Sequence, residues 1–117
     1  MAVKVPILKQ GKVLIASIQE DLSDSDILDL QHRILEDVIR CRAEAVIIDV
    51  SAIGILDSFG TKTLSEIAYS VRLRGAKLVI VGIQPDVALS MVLLGLTLPD
   101  IPTALDLDRG LALINGG

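Results

Sequence analysis

Between Val46 and Thr61 the chain changes its hydrophobic period. Val46-Ile47-Ile48-Asp49-Val50 is an aliphatic run broken only by Asp49, with every other member β-branched, the pattern of a buried strand. After Asp57-Ser58-Phe59-Gly60-Thr61, apolar residues recur at Leu64, Ile67, Ala68 and Val71, the spacing of one helix face. A buried strand that passes into a helix through a short polar loop admits few architectures. It commits this part of the chain to a strand–loop–helix unit and delivers Asp57 and Ser58 to a helix start.

Two chemistries fit such a pair. A Ser or Asp oxygen at a helix start accepts from the free backbone N–H groups of the first turn, as an N-cap. A serine there also suits phosphorylation, because a phosphate adds a charge of about −1.5 to −2, which free N–H groups and the helix dipole accommodate. Both hold together if Asp57 caps while Ser58 stays exposed, and spacing does not choose between them. Asp49 raises a related question, since a lone buried carboxylate is costly. Either it bonds backbone N–H groups of the following loop from the strand's end, or it supports the Ser58 loop, and the two roles overlap.

The same alternation runs through the rest of the chain. Val5 to Leu8, a turn at Gln10-Gly11-Lys12 and Val13 to Ile18 read as a β-hairpin, with Pro6 suited to an edge strand. Ser23 and Asp26 have capping-box spacing before a helix whose buried face is Ile27, Leu30, Ile34, Val38 and Ile39, ending near Arg40 or Arg42. Ala45 to Val50 is the third strand. The helix after the loop runs from about Ser58 to Arg74, with Gly75 as its C-terminal stop and Arg72 and Arg74 favourable at its C-terminus. Leu78 to Val81 is the fourth strand, followed by a helix that begins at Pro85 or Asp86. That helix, with Val87, Ala88, Leu89, Met91, Val92, Leu93, Leu94, Leu96 and Leu98, has almost no polar face, so it is either fully buried or turned toward a partner. A small domain has few places to bury such a helix, which favours a partner. Thr103 to Leu105 forms a short strand and Asp106 to Ile114 a last helix. Strands alternating with helices after an antiparallel hairpin imply an α/β fold with a mixed, mainly parallel sheet.

Composition narrows the function. A chain of 117 residues is one domain by length, able to remove roughly two-thirds of its unfolded surface from water. With one Phe, one Tyr and no Trp, its core must be aliphatic. A net charge of −4 argues against nucleic acid and against an anionic membrane surface. No apolar run is long enough to span a bilayer, and Met1 to Pro6 lacks a signal-peptide pattern, so a cytoplasmic protein is expected. Cys41 is the sole cysteine, which excludes an internal disulfide and a cysteine metal cluster.

Catalytic patterns are scarce. There is no nucleotide-cradling glycine loop. His32, the one histidine, sits among charged residues of the first helix, so a hydrolase built on Ser58 lacks a base. Cys41 reads as a packed small residue. Glu20-Asp21 and Asp24-Asp26 are acidic clusters of the kind usually left solvated, and no metal site is expected. Thr61 and Thr63 lie on the second helix, where a kinase reaches them only if the helix is exposed and unwound.

The loop D-S-F-G, after V-I-I-D-V and before a helix, resembles the signature of the anti-sigma-factor antagonist (STAS) family. The resemblance extends through the opening hairpin, the long first helix, the L-V-I-V-G strand and the apolar final third, and is greatest to single-domain subunits of the stressosome, a bacterial stress-signalling assembly. Many members carry D-S-S-G, so Phe59 departs from the general pattern while suiting the stressosome branch. The resemblance implies one STAS domain over residues 1–117, with about four helices packed on the sheet. It implies that Ser58 is phosphorylated by a partner serine kinase, that Asp57, Phe59, Gly60 and Thr61 form the docking loop, and that Asp49 supports it. The chain itself is then no enzyme and needs no cofactor, since ATP and magnesium belong to the kinase. The implied partners are that kinase, larger STAS paralogues in a megadalton complex, a resetting phosphatase and further copies of the chain. Two alternatives stand beside this one. One is a simpler antagonist that displaces a sigma factor directly from its anti-sigma kinase. The other is a phosphoaspartate receiver with Asp49 as acceptor, against which the hairpin and the missing late lysine both count.

Overall fold

The computed structural model describes residues 5–116, so Met1–Lys4 and Gly117, at the ends of the expected 1–117 domain, lie outside the described residues. Two antiparallel strands open the fold, β1 (Ile7–Gln10) and β2 (Val13–Ser17), joined at Gly11-Lys12. They are followed by α1 (Asp24–Cys41), β3 (Ala45–Asp49), α2 (Ser58–Leu73), β4 (Lys77–Val81), α3 (Pro85–Leu94), β5 (Thr103–Ala104) and α4 (Leu107–Gly116). The five strands lie in one sheet in the order β1-β2-β3-β4-β5, and every pairing after the hairpin is parallel. This is the mixed, mainly parallel sheet that the alternating pattern predicts, and it begins with an antiparallel hairpin that a receiver fold lacks.

Side-chain alternation divides the core in two. Leu14, Ala16, Val46, Ile48, Leu78 and Ile80 point to one face, where Leu30, Ile34 and Val38 of α1 and Leu64, Ile67 and Val71 of α2 cover them. Ile15, Ile47, Val79 and Val81 point to the other, covered by Leu107, Leu111 and Ile114 of α4. Gly110 lets α4 approach closely: a Cβ there would lie 2.6 Å from Val81 Cγ1.

The helix ends follow their local chemistry. Ser23 caps α1 with a reciprocal capping box to Asp26, as its spacing predicts. The α1 C-cap falls on Arg42, a non-glycine residue held at φ 50° by bonds from its N–H to the carbonyls of Ile39 and Val38. Gly75, with φ +81°, follows the C-cap Arg74 of α2 and supplies the left-handed turn. Pro85 takes the first turn of α3, where its missing N–H removes no helical bond.

Several boundaries and faces differ from the sequence expectation, most of the strand and helix ends by one or two residues. Ile39 is exposed, because it lies one residue beyond Val38 and so rotates off the buried stripe. Ladder pairing begins at Ile7 rather than Val5, since Pro6 offers only a carbonyl, which accepts from Ser17 N at 3.1 Å. The third strand stops at Asp49, after which Val50 N donates to Val81 O at 3.0 Å. The third helix stops at Leu94, where Gly95 (φ +70°) caps it, so Leu96 and Leu98 lie beyond it. Of the two readings of its apolar sequence it takes the open one, with Val87 and Met91 buried and Leu89, Val92, Leu93 and Leu94 facing outward.

Candidate functional site: the loop between β3 and α2

Asp57 and Ser58 sit where the parallel strands end, at the start of α2. The loop before them is anchored by Ile53 and Leu56, both buried, whereas Ser51, Ala52, Gly54 and Ile55 are exposed. Asp57 is the N-cap of α2, with extended backbone (φ −90°, ψ −175°). Its Oδ1 accepts from Gly60 N at 2.8 Å, and its carbonyl accepts from Thr61 N at 2.9 Å and Thr61 Oγ1 at 2.7 Å. The cap is therefore complete without Ser58. Ser58 is the first helical residue, is exposed, and makes no side-chain hydrogen bond with other described residues.

The residues named with Ser58 separate into two groups. Asp57, Ser58 and the half-buried Phe59 reach the surface. Gly60 and Thr61 are buried and shape the turn beneath them. Gly60 is where the turn packs: a Cβ on it would lie 3.1 Å from Leu56 Cδ1 and 3.5 Å from Ile27 Cδ1 of α1. Thr61 and Thr63 direct their hydroxyls into the helix, to the carbonyls of Asp57 and Phe59, and are 4% and 2% exposed. Neither hydroxyl is available to a kinase while α2 is folded. Asp49 is half-buried at the end of β3, and its Oδ1 accepts from Ser51 N at 2.9 Å. It thus bonds the first part of the loop, and its carboxylate makes no bond to residues 57–61.

Two further side chains reach this loop. Asp21, from the segment between β2 and α1, accepts from Gly54 N at 2.9 Å through Oδ1. Gln84, at the start of α3, donates through Nε2 to Ser51 O. Sequence reading gave Asp21 no part in this loop, and nothing local marks Gln84 except that glutamine is an uncommon N-cap. A shallow cavity of ≈ 150 Å³ separates the two loops, lined among others by Asp21, Asp24, Ile55 and Asp57. Its rim is acidic. Among the described residues no cluster of three or more His, Cys, Asp or Glu is placed to hold a metal ion. His32 is exposed on α1 and Cys41 half-buried at its end, and no serine–histidine pair is formed at the loop.

A serine at the first helical position, exposed and released from capping duty by its neighbour, on a sheet with an N-terminal hairpin, defines a class. The STAS domain profile matches residues 4–109, and the chain belongs to the STAS family. Within it the likeness is to stressosome proteins. RsbS of Moorella thermoacetica carrying S58E is 32% identical, covers 97% of each chain and superposes with a TM-score of 0.82. A structure described as the molecular architecture of the stressosome is 33% identical over 95% of this chain and 96% of its own, with a TM-score of 0.79. The RsbT co-antagonist protein RsbRA of Bacillus subtilis is 29% identical over 82 residues, which are 70% of this chain and 30% of that protein. The chain thus spans under a third of the length of RsbRA.

Proposed function

We propose that this chain is a non-enzymatic partner-switching regulator of a bacterial stress-response sigma factor, acting as a stressosome subunit. In its unmodified form it sequesters a serine kinase of the anti-sigma-factor type, and it releases that kinase when Ser58 is phosphorylated. The observation that carries this is the free, exposed Ser58 hydroxyl beside an Asp57 that completes the helix cap alone. A phosphate there would leave α2 intact. The similarity to RsbS, which has been studied with a carboxylate in place of its serine 58, supports the same position.

The electrostatics give the switch its direction. Asp21, Asp24 and Asp57 already surround the cavity beside the loop. A phosphoserine adds a charge of about −1.5 to −2 to this rim, and three strongly hydrated oxygens. A kinase surface that meets the neutral serine with acidic or apolar groups is then expelled by repulsion and by the cost of desolvating the phosphate. ATP and magnesium act in the kinase, and a phosphatase resets Ser58. The likeness to RsbRA, a longer protein described as an RsbT co-antagonist, supports larger STAS paralogues as co-assembling partners. The proposed assembly is cytoplasmic; no described helix is long and apolar enough to cross a membrane.

The exposed apolar side of α3 favours the assembling form of this mechanism over the simpler antagonist that displaces a sigma factor directly. Native mass measurement separates them: co-assembly with a paralogue gives a megadalton particle, the simple antagonist a small complex. The switch is tested by titrating the kinase with wild type, Ser58→Ala and Ser58→Asp by calorimetry. Ser58→Ala is expected to bind as wild type does and to hold the kinase in the presence of ATP. Ser58→Asp is expected to bind at least tenfold more weakly. Equal affinity of all three forms, with wild type still unreleased after phosphorylation, overturns the switch.

A further inference from the structure

The loop that presents Ser58 is held by side chains from two neighbouring connections. Within the loop itself, Ile53 and Leu56 are buried, Ser51 N donates to Asp49 Oδ1 and Ile53 N to Val50 O. Residues 51, 52, 54 and 55 are exposed, and the Gly54 amide has no partner from the loop. Asp21 accepts from the Gly54 amide at 2.9 Å, and Gln84 donates to the Ser51 carbonyl. Each bond spans 33 positions of sequence, and the two come from opposite directions along the chain. Gln84 is the N-cap residue of α3, yet its side chain makes no capping bond and reaches across to Ser51. Gly82, just upstream, has φ +82°, and a Cβ there would lie 2.9 Å from Ser51 Cβ, so the two connections are in contact.

We propose that Asp21 and Gln84 are positioning residues that hold the loop in one conformation before the kinase arrives, so that Ser58 meets it as a pre-ordered substrate. This rests on Ser58 being the phosphoacceptor. A loop already fixed need not be ordered during docking, and a loop that populates its competent form only part of the time binds more weakly by that fraction. Loss of either bond is therefore expressed in the apparent affinity for the kinase, with little effect on the transfer step. Gln84 thereby ties the start of α3 to the Ser51 end of the loop.

The test compares Asp21→Ala, Asp21→Asn and Gln84→Ala with wild type as full-length substrates of the serine kinase with MgATP, together with amide exchange over residues 51–57. Asp21→Ala and Gln84→Ala are expected to raise KM about fivefold to tenfold, the scale of one hydrogen bond, with kcat changed less than twofold. Amide exchange of Gly54 is expected to accelerate in Asp21→Ala. Asp21→Asn keeps an oxygen that accepts from Gly54 N, and is expected to stay within twofold of wild type in both readouts. Unchanged KM in both alanine variants, or unchanged Gly54 exchange in Asp21→Ala, overturns the positioning role while leaving Ser58 as acceptor. A wild-type chain that takes no phosphate on Ser58 overturns the functional reading itself, and the positioning role with it.

Discussion

Helices α1 and α3 each turn one face to the core, but only α1 has a polar face to turn to water. In α1, Leu30, Ile34 and Val38 are buried, and the opposite face carries Asp29, His32, Arg33, Glu36 and Arg40, all exposed. An Arg40–Asp37 pair at 2.7 Å lies along that outer surface. In α3, Val87 and Met91 face the core, and the outer face carries Leu89, Val92, Leu93 and Leu94, with Val92 75% and Leu93 76% exposed. Water is a suitable neighbour for the outside of α1. It is a poor one for the outside of α3, where contiguous apolar surface marks an interaction site. On the proposed reading, the apolar content of α3 counts a surface buried in the assembly as well as the one buried in its own fold.

The comparison can be broken at several points. Ile34→Ala empties a position that is fully buried in α1, and is expected to destabilise the domain by about 3 kcal/mol in denaturant unfolding. Gly82→Ala, in the turn that launches α3, combines a positive φ with a contact of 2.9 Å to Ser51 Cβ, and is expected to cost about 2 kcal/mol. Ser23→Ala removes the α1 cap and is expected to cost about 1 kcal/mol. The smallest effect on stability is expected for Leu93→Gln with Val92→Gln, within about 0.5 kcal/mol, because both side chains are already in water. That double variant should nevertheless abolish co-assembly with a STAS paralogue, as read by native mass. Unimpaired assembly would place the partner elsewhere, and a large loss of stability would mean that α3 is packed more tightly than its exposure shows.

Much of this was legible before the structure. The buried strand, the loop and the helical period after it located Asp57 and Ser58 correctly at the start of α2, because period and capping chemistry are local properties. The capping box at Ser23 and the proline start of α3 were legible for the same reason. Ile39 was misassigned because an apolar residue next to a buried stripe satisfies the same periodicity whichever way the helix is rotated. Gly60 and Thr61 entered the docking loop through the family resemblance, and local sequence did not show that the first turn of α2 is folded against Leu56 and Ile27. Asp21 and Gln84 were out of reach, since bonds across 33 positions leave no local pattern. Whether Asp57 or Ser58 caps the helix could not be read from spacing either, and it is this assignment that leaves the serine hydroxyl free.

The central claim is that Ser58 is the phosphoacceptor, and phosphosite mapping tests it most directly. Wild type and Ser58→Ala are incubated with the serine kinase, magnesium and ATP, and any added phosphate is located by peptide mass spectrometry. The expected result is a single phosphate on Ser58 in wild type and none in Ser58→Ala, with Thr61 and Thr63 unmodified because their hydroxyls are buried and bonded within α2. Phosphate on another residue, or equal incorporation in the two proteins, would contradict it and return Ser58 to an ordinary first residue of a helix.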